Sequence, residues 1–426
     1  MKRLQPWLAL LLLALGCPRS LPAWSQPHHA ITRAAVAVLP ENDRALLGAE
    51  ALPLADSYCL IPDHVFSDPP NARFAMMDSR PGERYLTILH LPASAPEIVE
   101  TLRYFVEKAA GAFREKQTGD GARFLGTICH LVEDYGSPSH TIPGDNQFTL
   151  MRQFFPPPPA WKHRLMHGPV ESGTLQVAIP GYEPKLLGES AAEIAWRLMH
   201  RVNESIVYSR GTTVPILQAL YTQQTSEATR QQTRAAEFNA RVLADALHSI
   251  LCLGHMGPPP EQLREISEVE IGAFWPLEAP SLFYPQKIFF SAPAFGPPTH
   301  GFVVRGGEHE EPLVLYDTGL GAERSFSNGI GSGNRSSLSY LLPGGVFRKF
   351  RVTVGLHARL GVEGSAVFRV LGDGKERVSV EVEGAQGTRT LECNVEGCRE
   401  IQLVTEGRGP KLQSNYTVWA SPRLCK

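Results

Sequence analysis

The chain lacks an excess of either charge, with 41 basic side chains against 43 acidic ones in 426 residues. That balance excludes a general electrostatic pull towards nucleic acid or anionic membrane, so a polyanionic substrate would have to be held by local charge. No CxxC spacing occurs among the seven cysteines, which excludes the usual thiolate zinc site. A Gly-rich phosphate loop opening a helix is also missing, as are repeat arrays and low-complexity tracts. The apolar run from Trp7 to Gly16 is too short to span a bilayer as a permanent anchor.

What that run does fit is a secretory signal. Lys2 and Arg3 precede it and small residues follow, so cleavage after Ala23 leaves Trp24 as the first mature residue of an exported chain, extracellular or periplasmic. Lipid anchoring through Cys17 is the alternative, although Ala14-Leu15-Gly16-Cys17 makes a poor lipobox. Cleavage leaves Cys59, Cys129, Cys252, Cys393, Cys398 and Cys425, an even set that allows disulfides. Cys393 and Cys398 flank a tight Asn-Val-Glu-Gly turn and are the expected pair.

From Trp24 to about Met256 the apolar spacing is helical, with faces over Ile31 to Leu39, Ala95 to Arg114, Ala191 to Tyr208 and Ala228 to Leu253. Pro-rich loops at Ile61 to Pro70 and Phe154 to Ala160 interrupt it. Gly257-Pro258-Pro259-Pro260 ends the pattern, and after about Pro280 short alternating runs such as Phe350 to Gly355, Ala366 to Leu371 and Val378 to Glu383 describe a β-sandwich. The expected organisation is multidomain: a signal peptide over 1–23, a mainly α-helical domain over 24–257, a linker over 258–279 and an all-β, jelly-roll-like sandwich over 280–426.

Chemistry concentrates at His130-Leu-Val-Glu-Asp134-Tyr-Gly-Ser-Pro138-Ser-His140. The apolar stretch Phe124 to Cys129 carries a helix into His130, and a spacing of four places His130 and Asp134 on one face. Gly136 and Pro138 stop the helix and deliver His140 from the following loop. Imidazoles and carboxylates so close suit a zinc-class ion; a buried His–Asp pair with an incidental second His is the structural alternative. Ligand-type residues recur at His28, His29, Asp63, His64, His90, His163, His167 and Glu171. Each has an ordinary explanation, His90 as a core histidine, Asp63 as a turn or cap residue, His167 and Glu171 as a solvated helical pair. Their number within one helical domain is what points to metal.

Taken in order, Trp24, His29, Asp63, His90, His130-x-x-x-Asp134-x-x-x-Pro138-x-His140 and His167-x-x-x-Glu171 resemble the zinc-dependent phospholipase C and single-strand-specific nuclease superfamily over about Trp24 to Leu253. The resemblance implies three zinc ions: one on Asp63, His90, His130 and Asp134; a second on His140, His167 and Glu171; a third on the terminal amine and carbonyl of Trp24, His29 and a shared Asp134. It implies hydrolysis of a phosphodiester, phospholipase C-like, by activated water attacking phosphorus, with Asp63 or Glu171 orienting or deprotonating that water. His28 rivals His29, and His64 rivals His90, because the gap from Asp63 to His90 is long for the family. Glu171 leans towards the phospholipase side and the five-residue offset from Trp24 to His29 towards the nuclease side. Tyr58, Phe66, Tyr135, Phe154, Phe155 and Trp161 are candidates to stack on a base or surround a choline head group.

The second half is similar to the NPCBM type of carbohydrate-binding module through Ser327 to Gly331, Leu342 to Gly345, Phe350 to Leu356, Val367 to Lys375 and Trp419 to Leu424. That resemblance implies a glycan partner at the loops of one end, with Tyr416 and Trp419 as sugar-facing candidates, Trp419 also suiting the core, and no catalysis. The partners expected are therefore a phospholipid or nucleic-acid phosphodiester and a glycan, with no stable protein partner implied; a non-catalytic surface binder is the rival from another class.

An α-amino group ligates only when free and deprotonated, so residues added before Trp24 should lower both metal stoichiometry and activity. Elemental analysis of the extended chain checks this, and unchanged zinc content would remove the terminal amine from the ligand set.

Overall fold

The computed structural model describes residues 25–77, 95–141, 152–153, 155–163, 167–255, 257–277, 298–306 and 309–426. Its first part is helical: α1 Ser25–Ala37, α2 Glu41–Leu47, α3 Ala51–Asp56, α4 Pro69–Ala72, α5 Ala95–Arg114, α6 Thr118–Gly136, α7 His167–Glu171, α8 Ala191–Tyr221, α9 Thr225–Gly254 and α10 Pro260–Glu265. In α5 the buried positions Leu102, Phe105, Val106, Ala109, Ala110 and Phe113 follow the helical period and form one stripe against the core. The side chain of Ser190 caps α8 by accepting the Glu193 N–H at 3.2 Å.

Two helical boundaries differ from expectation. Helix α8 continues past Tyr208 to Tyr221, through Pro215, because Ile216 and Leu217 remain buried against Val170 and their packing offsets the lost backbone hydrogen bond. The expected linker over 258–279 instead holds α10, then strand β1 Glu268–Glu270 and the buried Ile271. A three-residue strand is too short to show alternation, and the Pro run that suggested a break supplies the first turn of α10.

The rest is all β, as expected. Strands β2 Thr299–His300, β3 Phe302–Arg305, β4 His309–Asp317, β5 Ala322–Phe326, β6 Gly329–Ser332, β7 Arg335–Leu341, β8 Lys349–Leu356, β9 Ser365–Gly372, β10 Lys375–Glu383, β11 Arg389–Asn394, β12 Glu400–Arg408 and β13 Thr417–Cys425 follow β1. Among the described residues one sheet runs β11-β8-β13-β6-β2 with β1 on the far side of β13, a second runs β10-β9-β12-β7, and a small third runs β3-β4-β5. Phe350, Val352 and Val354 of β8 face the core while Lys349 and Arg351 face out, the alternation of a one-sided strand. The β9–β10 hairpin turns at Asp373 and Gly374, with φ of 50° and 73°, the left-handed pair that a two-residue loop requires.

Helices and sheets share one hydrophobic core, from Ile31 on α1 to Leu424 on β13. Trp196 of α8 is fully buried in that core, its indole N–H donating to the Leu341 carbonyl at 2.7 Å and its ring edge-on to Phe274 and Phe347. Trp419 is a core residue as well, edge-on to Phe368 with its N–H on Thr405 Oγ1 at 2.9 Å, so it is no sugar platform. The Cys393–Cys398 disulfide is corrected: all six cysteines described are free thiols. Cys393 sits in β11 opposite Phe350, whereas Cys398 is buried and accepts from Arg377 Nη2 at 3.4 Å. No helix among the described residues is long and apolar enough to cross a membrane.

Gly126, in the middle of α6, has no room for a side chain because a Cβ there would run into the Tyr58 carbonyl. That contact seats the turn Tyr58–Leu60 on α6. Gly126→Ala should cost about 1–3 kcal/mol of stability, whereas Gly211→Ala, in open space on α8, should be neutral or stabilising. Thermal melts of the two variants check this, and equal midpoints would show that the turn yields freely.

Candidate metal centre

Three elements converge on the middle of α6. Helix α1 supplies His28, the turn Pro62–His64 supplies Asp63, and α6 supplies His130 and, one turn later, Asp134. His28 and His130 are buried and their rings stack with centroids 4.6 Å apart. His130 Nε2 lies 3.6 Å from Asp63 Oδ1 and 3.3 Å from Asp134 Oδ2, while His28 Nε2 lies 3.5 Å from Asp134 Oδ1. Ligand atoms of His28, Asp63 and His130 all fall within 4.8 Å of one another.

Each imidazole is held from behind. His28 Nδ1–H donates to Glu133 Oε2 at 2.7 Å, and the other oxygen of that carboxylate accepts the Thr32 hydroxyl at 2.5 Å. His130 Nδ1–H donates to the Cys59 carbonyl at 3.0 Å, which fixes the tautomer because a carbonyl only accepts. Both rings therefore present Nε2 to the same gap, beside Asp63 and Asp134. Among the described residues Asp63 Oδ2, His130 Nε2 and Asp134 Oδ1 are buried with no hydrogen-bond partner, an arrangement that costs free energy unless something fills the gap. The separations also fit the edge of a tetrahedron, about 3.4 Å for ligands roughly 2.1 Å from zinc. Nitrogen and oxygen donors with orphaned atoms and that spacing fit a zinc-class ion.

The charges support one another. Burial would push the His28 imidazolium down, but the Asp134 and Glu133 carboxylates hold it well above the usual histidine range. Burial would push Asp134 up, but the charges of His130 and His140 hold it well below the usual carboxylate range. Asp134 thus lies within reach of a second group. There His140 Nε2 stands 3.0 Å from Glu171 Oε1, an oxygen that also accepts from Ser137 Oγ at 3.2 Å and from Ser139 Oγ. His140 is raised too, the Asp134 and Glu171 charges outweighing its burial.

Of the expected site residues, Asp63, His130 and Asp134 come together in the first group and His140 and Glu171 in the second. His29 does not join them; its Nδ1 donates to the Ala55 carbonyl at 2.7 Å, and the neighbouring His28 takes the place expected of it. Consecutive helical residues point about 100° apart, so only one of the two can face α6. His64 is exposed and sits 3.4 Å from Ser67 Oγ. His167 begins α7, and nothing further is described of its side chain. Trp24, His90 and Phe154 lie outside the described residues. Of the candidate aromatics, Tyr58 donates to Glu50 Oε2 at 2.9 Å, Phe155 and Trp161 pack on Tyr221, and Phe66 is exposed near Asp63. Glu133 and Thr32 were missed; the visible signal was a carboxylate one helical turn after His130 inside an apolar run.

A separate buried trio, Asp43, His248 and Cys252, has ligand-type atoms but no open one on its histidine. His248 Nδ1 pairs with Asp43 Oδ2 at 2.6 Å and Nε2 with Gln262 Oε1 at 2.9 Å, tying α2, α9 and α10 together.

Residues 304–425 match the NPCBM/NEW2 domain. No curated protein matches the chain. Among solved structures, that of CBM51 from Clostridium perfringens GH95 in complex with methyl-galactose is 19% identical, over 37% of this chain and 99% of its own, with a TM-score of 0.30. Alpha toxin from Clostridium absonum is 10% identical over 94% of this chain and 93% of its own, TM-score 0.31, and alpha-toxin of a Clostridium perfringens avian strain is 11% identical over 92% and 84%, TM-score 0.32. At these scores the side-chain geometry, not the likeness, bears the argument.

His28→Ala should therefore lower zinc content while His29→Ala leaves it unchanged. Glu133→Gln should weaken zinc binding about 10- to 100-fold by loosening His28. Zinc titration by calorimetry measures all three; loss of metal from the His29 variant alone would reverse the assignment.

Proposed function

We propose that the chain is an exported zinc-dependent hydrolase of phosphodiester bonds, phospholipase C-like, in which residues 24–257 carry the chemistry and 280–426 direct the enzyme to a glycan-bearing surface. The observation that carries this reading is the convergence of His28, Asp63 and His130, whose ligand atoms lie within 4.8 Å of one another, beside an Asp134 that turns one oxygen to each histidine, with Asp63 Oδ2, His130 Nε2 and Asp134 Oδ1 buried and left without hydrogen bonds. Zinc, when bound, supplies a Lewis acid that lowers the pKa of water and neutralises phosphate oxygens.

The chain's own residues divide the rest of the work. His28 and His130 are held through Nδ1, so their ring positions are fixed before substrate arrives. Asp134, within reach of three imidazoles, couples the two groups electrostatically. Asp63 is the least buried of the first group, its side chain 17% exposed, and one of its oxygens has no hydrogen bond. Glu171 is engaged by His140, Ser137 and Ser139. Of the two carboxylates expected to serve the attacking water, Asp63 is thus the one placed to orient it and accept its proton, and Glu171 the one placed to hold His140.

With His28 in place of His29, the five-residue offset from Trp24 no longer favours a nuclease, while Glu171 keeps its lean towards the phospholipase side. The exposed ring of Phe66, three residues after Asp63, suits an apolar or choline-bearing substrate at the rim.

The zinc-loaded mature chain should hydrolyse phosphatidylcholine faster than single-stranded nucleic acid, and Asp63→Asn should lower kcat by about 10²-fold or more. Release of phosphocholine and of nucleotides from the two substrates measures this. A zinc-loaded protein that turns over neither contradicts the reading, and faster release of nucleotides replaces it with the nuclease.

A further inference from the structure

Away from the metal centre, the outward face of the β11-β8-β13-β1 sheet holds a cavity of about 560 Å³, within the range of small-molecule sites. Six cationic side chains line it, of which Arg324, Arg348 and Lys426 pair with Asp317, Glu396 and Glu189. The cations at its centre are placed by the sheet. Lys349 and Arg351 are alternate outward residues of β8, and Arg351 pairs in register with Arg423 across β13, a like-charge juxtaposition that a sheet ordinarily avoids. Arg423 is neutralised by Glu270 at 2.6 Å and Lys349 by Glu392 at 2.8 Å. On its other side Arg351 faces Glu392 of β11 in register, but Glu392 is the ion-pair partner of Lys349, and the Arg351 side chain makes no hydrogen bond or ion pair among the described residues, so one guanidinium fork stands open in the cavity. A bulge in β13 between Ala420 and Arg423 brings Ser421, with φ of 45°, to the same wall.

A second cavity of about 310 Å³ adjoins the first and shares Arg324, Phe326 and Thr353 with it. Its other walls are of a different chemistry. Tyr316 offers a ring, and Thr318, Thr353, Thr388 and Thr390 offer hydroxyls; its charged residues are engaged within the protein, Asp317 by the Gly319 N–H and Arg324, and Arg389 by the Gly387 and Thr388 carbonyls, while Arg324 lies across Phe326 with its guanidinium 4.9 Å from the ring centre. One end of the groove is therefore suited to a carboxylate or sulfate, through the bidentate fork of Arg351. The other suits an uncharged ring bearing hydroxyls.

We infer that this groove binds an acidic oligosaccharide, its anionic group at Arg351 and a neighbouring sugar at Tyr316 and the threonines. The inference rests on the reading of the β domain as a sugar-binding module and names its ligand class and place: a sheet face, not the loops at one end. A phosphate-bearing lipid would satisfy the cations but would leave the hydroxyl-lined half unused.

The test is calorimetric titration of the full mature chain with trigalacturonate, with neutral galactotriose and with inorganic triphosphate. Trigalacturonate should bind at least tenfold more tightly than galactotriose and more weakly at raised salt, and Arg351→Glu should weaken it by about tenfold or more. Thr353→Val with Thr390→Val should weaken trigalacturonate and leave triphosphate unchanged. Arg351 is exposed, so its variant should keep the parent melting midpoint, and phosphodiesterase activity on a soluble substrate should be unaffected. Equal affinity for the charged and neutral trisaccharides, or an Arg351→Glu variant that binds as the parent does, overturns the inference while leaving a sugar-binding module in place. Binding of triphosphate as tight as that of trigalacturonate overturns it in favour of a simple anion site. No binding of any saccharide overturns the module reading as well.

Discussion

The site depends on two hydrogen bonds that do not touch the point where a metal would sit. Glu133 behind His28 and the Cys59 carbonyl behind His130 take the Nδ1 protons and leave each Nε2 directed at Asp63 and Asp134. A histidine free to rotate would turn to water or to a neighbouring carboxylate, and the orphaned donors would satisfy each other. Held as they are, they cannot, and the gap between them stays open at a spacing suited to an ion rather than to a hydrogen bond.

That constraint reaches outward through packing. The Cys59 carbonyl is in place because the turn Tyr58–Leu60 lies directly on α6, an approach possible only opposite Gly126. Farther along α6, Gly136 makes room for Asn239 of α9, whose amide donates to the Glu133 carbonyl at 3.0 Å. Helix α8 is in turn joined to β7 by Trp196 and to the end of α10 by Arg197, whose guanidinium donates to the Ile266 carbonyl at 2.8 Å. The two halves therefore share a core, and the segment between them is built into it by Val269 of β1 and by the buried Ile271.

Much of this was legible from local pattern. His130 and Asp134 are four apart in an apolar run, and helical period alone puts them on one face. The β half announces itself through alternation in β8, β9 and β10 and through the Asp373-Gly374 turn. What could not be seen is what tertiary packing decides. His28 and His29 are equivalent as letters, and only the way α1 lies on α6 selects the first. A main-chain carbonyl such as that of Cys59 leaves no mark in a sequence. The apolar face read over Ala191 to Tyr208 stops short of the helix, which burial of Ile216 and Leu217 carries on through Pro215 to Tyr221. The cationic groove draws on β5, β8 and β13, nearly 100 residues apart in the chain, and its pairing of Arg351 with Arg423 exists only in the register of the sheet.

The central claim is that His28, Asp63, His130 and Asp134 enclose zinc through nitrogen and oxygen alone. Zinc-edge X-ray absorption of the mature protein, loaded to saturation and freed of excess metal, tests it most directly. The account predicts at least one tightly held equivalent, a shell of nitrogen and oxygen at about 2.0–2.2 Å and the outer scattering of imidazole rings. No tightly held equivalent, or a sulfur shell near 2.3 Å from Cys59 or Cys129, would contradict it.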